Sequence, residues 1–192
     1  MKVRALLAAV GLGVLSLTAA ETNLVKTLFQ FTSPGDIDTW QIVNDDVMGG
    51  VSRSTFTMST NRTALFCGVV SLENNGGFAS VRSQPRRQDL SVFNAFSIRV
   101  RGDGRTYKFT ARTETGFDSV LYQTNFTTKA GEWTEHRFAF ADLTPTFRGR
   151  VLTDAPKFNA AQAASVGFLI ADKQAGPFKL EVESIKAAVG RE

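Results

Sequence analysis

The amino-acid sequence predicts an all-β sandwich of the jelly-roll kind, and three observations carry that prediction. Turn signals recur at short intervals along the 192 residues. The runs between them are rich in Phe, Val, Ile and Thr and alternate or stay apolar, as strands do. No long amphipathic helix and no strand–helix–strand rhythm breaks the series, which argues against a parallel doubly wound sheet.

In chain order, the first element is not part of the sandwich. Met1-Lys2-Val3-Arg4 is followed by an apolar run from Ala5 to Leu17 and by Thr18-Ala19-Ala20. A basic head, a short apolar middle and small residues at the exit predict a signal peptide over 1–20, cleaved after Ala20. A buried first helix or a retained anchor is the alternative. Removing these twenty residues leaves 172, Glu21 to Glu192, enough for one domain with a sizeable core. The leader holds Lys2 and Arg4 and no acid, so the formal charge falls from +4 to +2. A balance that small, with dispersed basic residues, gives no electrostatic case for nucleic acid. No later apolar run reaches the roughly 20 residues of a membrane span, so no membrane insertion of the mature chain is expected.

Ser33-Pro34-Gly35-Asp36 predicts the first turn. Next comes Trp40-Gln41-Ile42-Val43-Asn44-Asp45-Asp46-Val47-Met48-Gly49-Gly50-Val51-Ser52-Arg53-Ser54, read as strand, acidic turn, apolar plug, glycine release and return strand. In that reading Val47 and Met48 close one end of the sandwich and Asp45, Asp46 and Arg53 lie at its rim. Gly49-Gly50 supplies positive φ or a close approach to other backbone. Leu65 to Val70 is an apolar strand holding the one cysteine, Cys67, read as buried and inert. Asn74-Asn75-Gly76-Gly77 predicts another turn. From Phe93 to Arg101, Phe96, Ile98 and Val100 share one face, opposite Ala95, Ser97, Arg99 and Arg101. Gly102-Asp103-Gly104, Thr115-Gly116 and Ala130-Gly131 punctuate the next strands. Trp133 to Phe138 alternates and carries the one histidine, His136. Ala160 to Ala164 is a short helical candidate. After Ala175-Gly176-Pro177, Phe178 to Ile185 alternates as far as Val182. About ten strands result.

Chemistry is sparse. A Ser-His-Asp or Cys-His arrangement would have to use His136, which reads as an ordinary strand residue between Glu135 and Arg137. Metal sites built from several His or Cys residues are excluded by count. Asp36, Asp38, Asp45 and Asp46 do not form the acidic ladder of a helix-flanked calcium loop. No catalytic residue, cofactor or metal is therefore expected. Arg101-Gly102-Asp103 spells an adhesion tripeptide that hairpin chemistry already explains. Asn61-Arg62-Thr63 and Asn125-Phe126-Thr127 match the glycosylation acceptor pattern, which matters only in a eukaryotic secretory route, and chance occurrence is the default reading.

Trp40 to Ser54 resembles the signature W-x-x-x-N-D-x-V-M-G-G-x-S of the complex I intermediate-associated protein 30 family. Asn74 to Arg82, Arg99 to Tyr107, Gly131-Glu132-Trp133, Phe147 to Arg150 and Val166 to Phe178 resemble further blocks of that family, in order. The resemblance implies a galactose-binding-like β-sandwich and a non-enzymatic role, since the mitochondrial member assists assembly of respiratory complex I. It brings no catalytic residues.

The first functional expectation is an exported protein-binding module, in a periplasm, organelle lumen or outside the cell, aiding assembly of a membrane or envelope complex. A mitochondrial location is the alternative that the resemblance implies. The expected binding surface joins Asp45, Asp46, Arg53, Arg82, Arg101, Asp103, Arg105 and Arg148, because arginine forks make paired hydrogen bonds at interfaces. The alternative function is a carbohydrate-binding module using Trp40, Trp133, Tyr107 and Tyr122. Two Trp and two Tyr against sixteen Phe favour core filling over sugar stacking.

Overall fold

The computed structural model of the chain describes residues 24–116 and 118–189, so the predicted leader over 1–20 lies outside the described residues. Thirteen strands and five 3-10 turns make up the described part, against the ten or so strands expected. Ala160–Gln162 forms one 3-10 turn in place of the predicted helix, and Ala163 and Ala164 beyond it are buried against the sheets.

Two antiparallel sheets face each other. The six-stranded sheet runs β3 (Arg53–Met58), β4 (Ala64–Val70), β13 (Gly176–Ala188), β6 (Ala95–Arg101) and β9 (Trp133–Ala139), with β1 (Val25–Gln30) added to β13. The seven-stranded sheet runs β11 (Arg150–Val151), β10 (Thr144–Phe147), β8 (Leu121–Thr127), β7 (Thr106–Arg112), β12 (Ser165–Ile170), β5 (Ala79–Ser83) and β2 (Trp40–Asn44).

The expected alternation of β6 holds: Phe96, Ile98 and Val100 are buried in the core. In β13 it holds to Val182 and then changes phase. Val182 pairs with Val100 and Ser184 with Arg99, so Glu183 is the extra residue of a bulge. The bulge turns Ile185 and Ala187 to the same core that Phe178, Leu180 and Val182 reach. One thirteen-residue strand thus serves β4 along its first half and β1 along its second.

The phenylalanines join the sheets. Phe96 of β6 meets Phe109 of β7 at 5.0 Å between ring centroids, and Phe109 meets Phe138 of β9 at 5.3 Å. Both tyrosines of the chain are core residues, Tyr107 fully buried and Tyr122 nearly so. Burial, then the charge of Asp103, raises the Tyr107 phenol far above its ordinary range, and burial raises Tyr122. Phenols whose folded pKa is raised stabilise the fold fully below the unfolded value and lose that support as pH rises through the folded value. Native protein at pH 10 is therefore expected to show less tyrosinate absorbance than the same chain unfolded in denaturant at that pH, where about half of each phenol is ionised.

Candidate functional site

Two features on one side of the molecule build the site: a buried carboxylate that shapes the loops, and a groove beside them. The first explains the stretch from Trp40 to Ser54. Strand β2 ends at Asn44, and Asp45–Met48 forms a 3-10 turn closed by Gly49 at φ 89°. Asp45 is 1% exposed. Its Oδ1 accepts from the Ser52 amide at 2.9 Å. Its Oδ2 accepts from the Ser52 hydroxyl at 2.5 Å and from the Gly77 and Phe78 amides at 2.7 and 3.2 Å. Ser52 Oγ in turn accepts from the Ser71 amide at 3.0 Å. One carboxylate therefore ties the turn after β2 to the loop before β5.

The glycines follow from this. A Cβ on Gly50 would enter the Asp45 carboxyl group, and one on Gly76 would stand 2.6 Å from Oδ2. Burial alone would push the Asp45 pKa up, but hydrogen bonds from Ser52, Gly77 and Phe78 outweigh it and hold the carboxyl below its usual range. Asn44 completes the set by accepting from the Ser54 hydroxyl at 2.7 Å.

The structure corrects two expectations. Asp45 is no surface residue, because its oxygens are turned inward to four donors. Val47 and Met48 do not plug the sandwich: they stand 60% and 71% exposed and line a groove on the outer face of the seven-stranded sheet. Asp46, in the same turn, is exposed and caps the Val47 amide.

Beside these loops, the outer face of the seven-stranded sheet forms a groove of about 720 Å³. Its wall next to the 3-10 turn is apolar, made of Val43, Val47, Met48 and Phe78. Arg82 of β5, Lys108, Thr110 and Arg112 of β7, and Leu169 of β12 form the floor. Asp118, Ser119, Arg148 and Asp172 edge it. Lys108 pairs with Asp172 at 3.0 Å, and Arg148 with Asp118. Arg148 and Gly149 occupy a two-residue hairpin between the paired Phe147 and Arg150, with φ of 48° and 79°, a type I′ turn. Arg112 donates to the Ser119 carbonyl at 2.9 Å. Burial, and then the neighbouring charge of Arg82, depresses the Arg112 pKa to about 10, and burial also lowers that of Arg82.

The eight predicted surface residues do not form one surface. Arg82 and Arg148 share the groove, with Asp46 in the turn that walls it. Arg53 lies on β3, an edge of the other sheet. Arg101 binds the buried Glu181 at 2.7 Å and lies over the Trp133 ring at 5.1 Å. Asp103 is spent locally, accepting from the Arg105 amide, the Tyr107 hydroxyl and the Lys179 amide, which also closes the adhesion tripeptide. Arg105 donates to the Gln174 and Ala175 carbonyls. Lys108 and Arg112 escape a reading of the sequence because only the pairing of β7 with β12, and β12 with β5, brings them beside Arg82. Their one sequence signal is the four-residue spacing that puts both on the same face of a strand.

The sugar-stacking candidates are elsewhere. Tyr107 and Tyr122 are buried, and Trp40 packs among Phe29, Phe31, Phe56 and Phe168. Trp133 lies under Arg99 and Arg101. Among the described lining residues of the groove, Phe78 is the aromatic one. His136 bonds to Thr134 Oγ1 at 2.9 Å and packs on Phe126, where burial lowers its pKa.

Comparisons with known proteins agree with this architecture. Residues 29–182 match the family described as Complex I intermediate-associated protein 30. The chain is 31% identical over 180 residues to "Complex I intermediate-associated protein 30, mitochondrial" of Mus musculus, covering 83% of this chain and 55% of that protein. It is 28% identical over 187 residues to the protein of the same name from Drosophila melanogaster, covering 86% of this chain and 62% of the relative. The chain thus spans little more than half the length of these relatives. Among solved structures, a family 11 carbohydrate-binding module of a cellulosomal cellulase of Clostridium thermocellum superposes with a TM-score of 0.65. The match covers 87% of this chain and 95% of the module at 14% identity, a likeness of fold alone: a galactose-binding-like sandwich.

Proposed function

The chain belongs to the complex I intermediate-associated protein 30 family, and from that premise we propose that it is a non-enzymatic assembly factor that holds a protein subunit of a membrane complex through the groove of its seven-stranded sheet. The observation that carries this reading is the pair Val47 and Met48, apolar and exposed, beside a concave surface with a cationic floor. Exposed apolar side chains next to a polar-rimmed groove mark interaction sites. The Asp45 hydrogen bonds fix the turn that carries them. Catalysis finds little support: the groove floor offers guanidinium, ammonium and hydroxyl groups, and His136 has a threonine hydroxyl and phenylalanine rings for neighbours. The carbohydrate alternative rests on fold likeness, and the groove lacks the tryptophan and tyrosine faces that would favour it.

Location follows the relatives. The names of the matched proteins read mitochondrial, which supports the mitochondrial alternative over export. No helix among the described residues is long and apolar enough to cross a membrane. The proposal is tested by deleting the gene in its host and resolving membrane complexes on native gels. Loss of mature complex I with build-up of a smaller intermediate, both reversed by the full chain, is the expected result. Unaltered complexes would overturn it.

A further inference from the structure

A second cavity lies apart from the apolar wall of the groove. It measures about 370 Å³ between β1, the segment that follows β5 and the start of β12, and meets the groove only at Ser165 and Val166. Backbone bonds hold its walls. Gln84 donates to the Thr39 carbonyl at 2.6 Å, and Arg86, Gln88 and Leu90 donate to those of Ala164, Ala163 and Ala160 at 2.7, 2.7 and 2.9 Å. Its shape is thus set before any ligand arrives. Leu28, Phe29, Leu90, Ala163 and Val166 give it an apolar lining. Arg86 is the one charged residue among the described lining, and no acid pairs with it among the described residues. Beside the cavity stands an unspent donor. Trp40 follows Thr39, pairs with Ser83 and packs its ring 4.9 Å from that of Phe29, three lining residues, yet its buried Nε1 has no hydrogen-bond partner. Buried polar atoms are seldom left unpaired, so this one asks for an acceptor that the described chain does not supply.

We propose that this cavity binds an aliphatic monocarboxylate, its chain against Leu28, Phe29, Leu90 and Val166 and its carboxylate at Arg86. The site is independent of the assembly-factor reading and of whatever the groove holds. One cation without an acid selects an anion, and a guanidinium fork takes a carboxylate through two parallel hydrogen bonds. Apolar walls select a chain over a hydrated ion such as phosphate. The volume stands at the lower end of the roughly 300–1,000 Å³ of small-molecule sites, which suits a short chain. A free fatty acid presents this chemistry, and so does the last residue of a polypeptide when its side chain is apolar.

The test is calorimetric titration of the full chain with octanoate, acetate, octylamine and N-acetyl-alanyl-leucine bearing a free carboxylate. Octanoate or the peptide should bind, and acetate and octylamine should bind about tenfold more weakly or not at all. Arg86→Gln should weaken the bound carboxylate by a similar factor, and because Arg86 is exposed the variant should fold as the parent does. Tighter binding of octanoate assigns the site to a free acid, and tighter binding of the peptide assigns it to a polypeptide C-terminus. In Trp133→Phe, which leaves Trp40 as the one indole, emission should shift on binding, since its ring packs on Phe29. The proposal is overturned if neither carboxylate binds, if acetate or octylamine matches octanoate, if Arg86→Gln binds as the parent does, or if binding leaves the Trp40 emission unchanged.

Discussion

Asp45→Ala is expected to lower the melting temperature by roughly 10 °C, the largest effect of any single polar substitution in the described chain. The change strips four hydrogen bonds to a buried carboxylate and leaves three backbone amides without that acceptor, the Ser52 amide in a buried setting and those of Gly77 and Phe78 in a part-buried one. Bonds to charged groups each contribute about 1.5–3 kcal/mol and orphaned buried donors cost about 1–3 kcal/mol, so a net loss of about 3–5 kcal/mol follows once overlap between the two is allowed for. Asp45→Asn should fall between, since its amide keeps one acceptor but turns a second donor toward amides that already donate. The pH dependence has a definite sign. A carboxyl held below its ordinary range stabilises the fold fully above the unfolded value and loses that support as pH falls through the folded value. The stability gap between the parent and Asp45→Asn, read by denaturant unfolding, should therefore be widest near neutrality and narrow in acid below the ordinary carboxylate range.

The paired change Val47→Asp/Met48→Asp is expected to act in the opposite way, abolishing rescue of the gene-deleted host while leaving the melting temperature nearly unchanged. Both side chains are mostly exposed, and exposed substitutions away from caps and networks usually shift stability by no more than about 0.5 kcal/mol. Their loss removes apolar area from the wall of the groove and sets negative charge where an apolar contact is needed. Native gels of the rescued host measure function, and calorimetry of the purified variant measures folding. Full rescue would show that this wall does not engage the partner. The same change tests a purely structural role for the Val-Met pair, which would show itself as lost stability instead.

How far the sequence can be read depends on how local the cause is. Phe96, Ile98 and Val100 are legible as core because a strand's two faces differ in sequence every second residue. The Glu183 bulge is hidden, because the extra residue shows only in the register with β6. Asp45 is legible as unusual but not as buried. Two of its donors, Gly77 and Phe78, lie 32 and 33 residues away, and only the pairing of β2 with β5 brings their loop to it. The same limit breaks up the expected interaction surface. Arg53, Arg101 and Arg105 share with Arg82 and Arg148 a residue type and a place near turns, yet the sandwich sends them to different sheets and local partners. The groove itself cannot be foreseen, for its floor comes from β5, β7 and β12, which are neighbours in space and distant in sequence.

The most direct measurement is site-specific photocrosslinking in the native host, with a benzophenone amino acid at Met48 and a control at Thr57, exposed on β3 of the opposite sheet. Crosslinks from Met48 to a subunit of an immature membrane complex, identified by mass spectrometry and missing from Thr57, are the expected outcome. Equal crosslinking from both positions, or none from Met48 in cells that assemble the complex normally, would contradict a docking role for this groove.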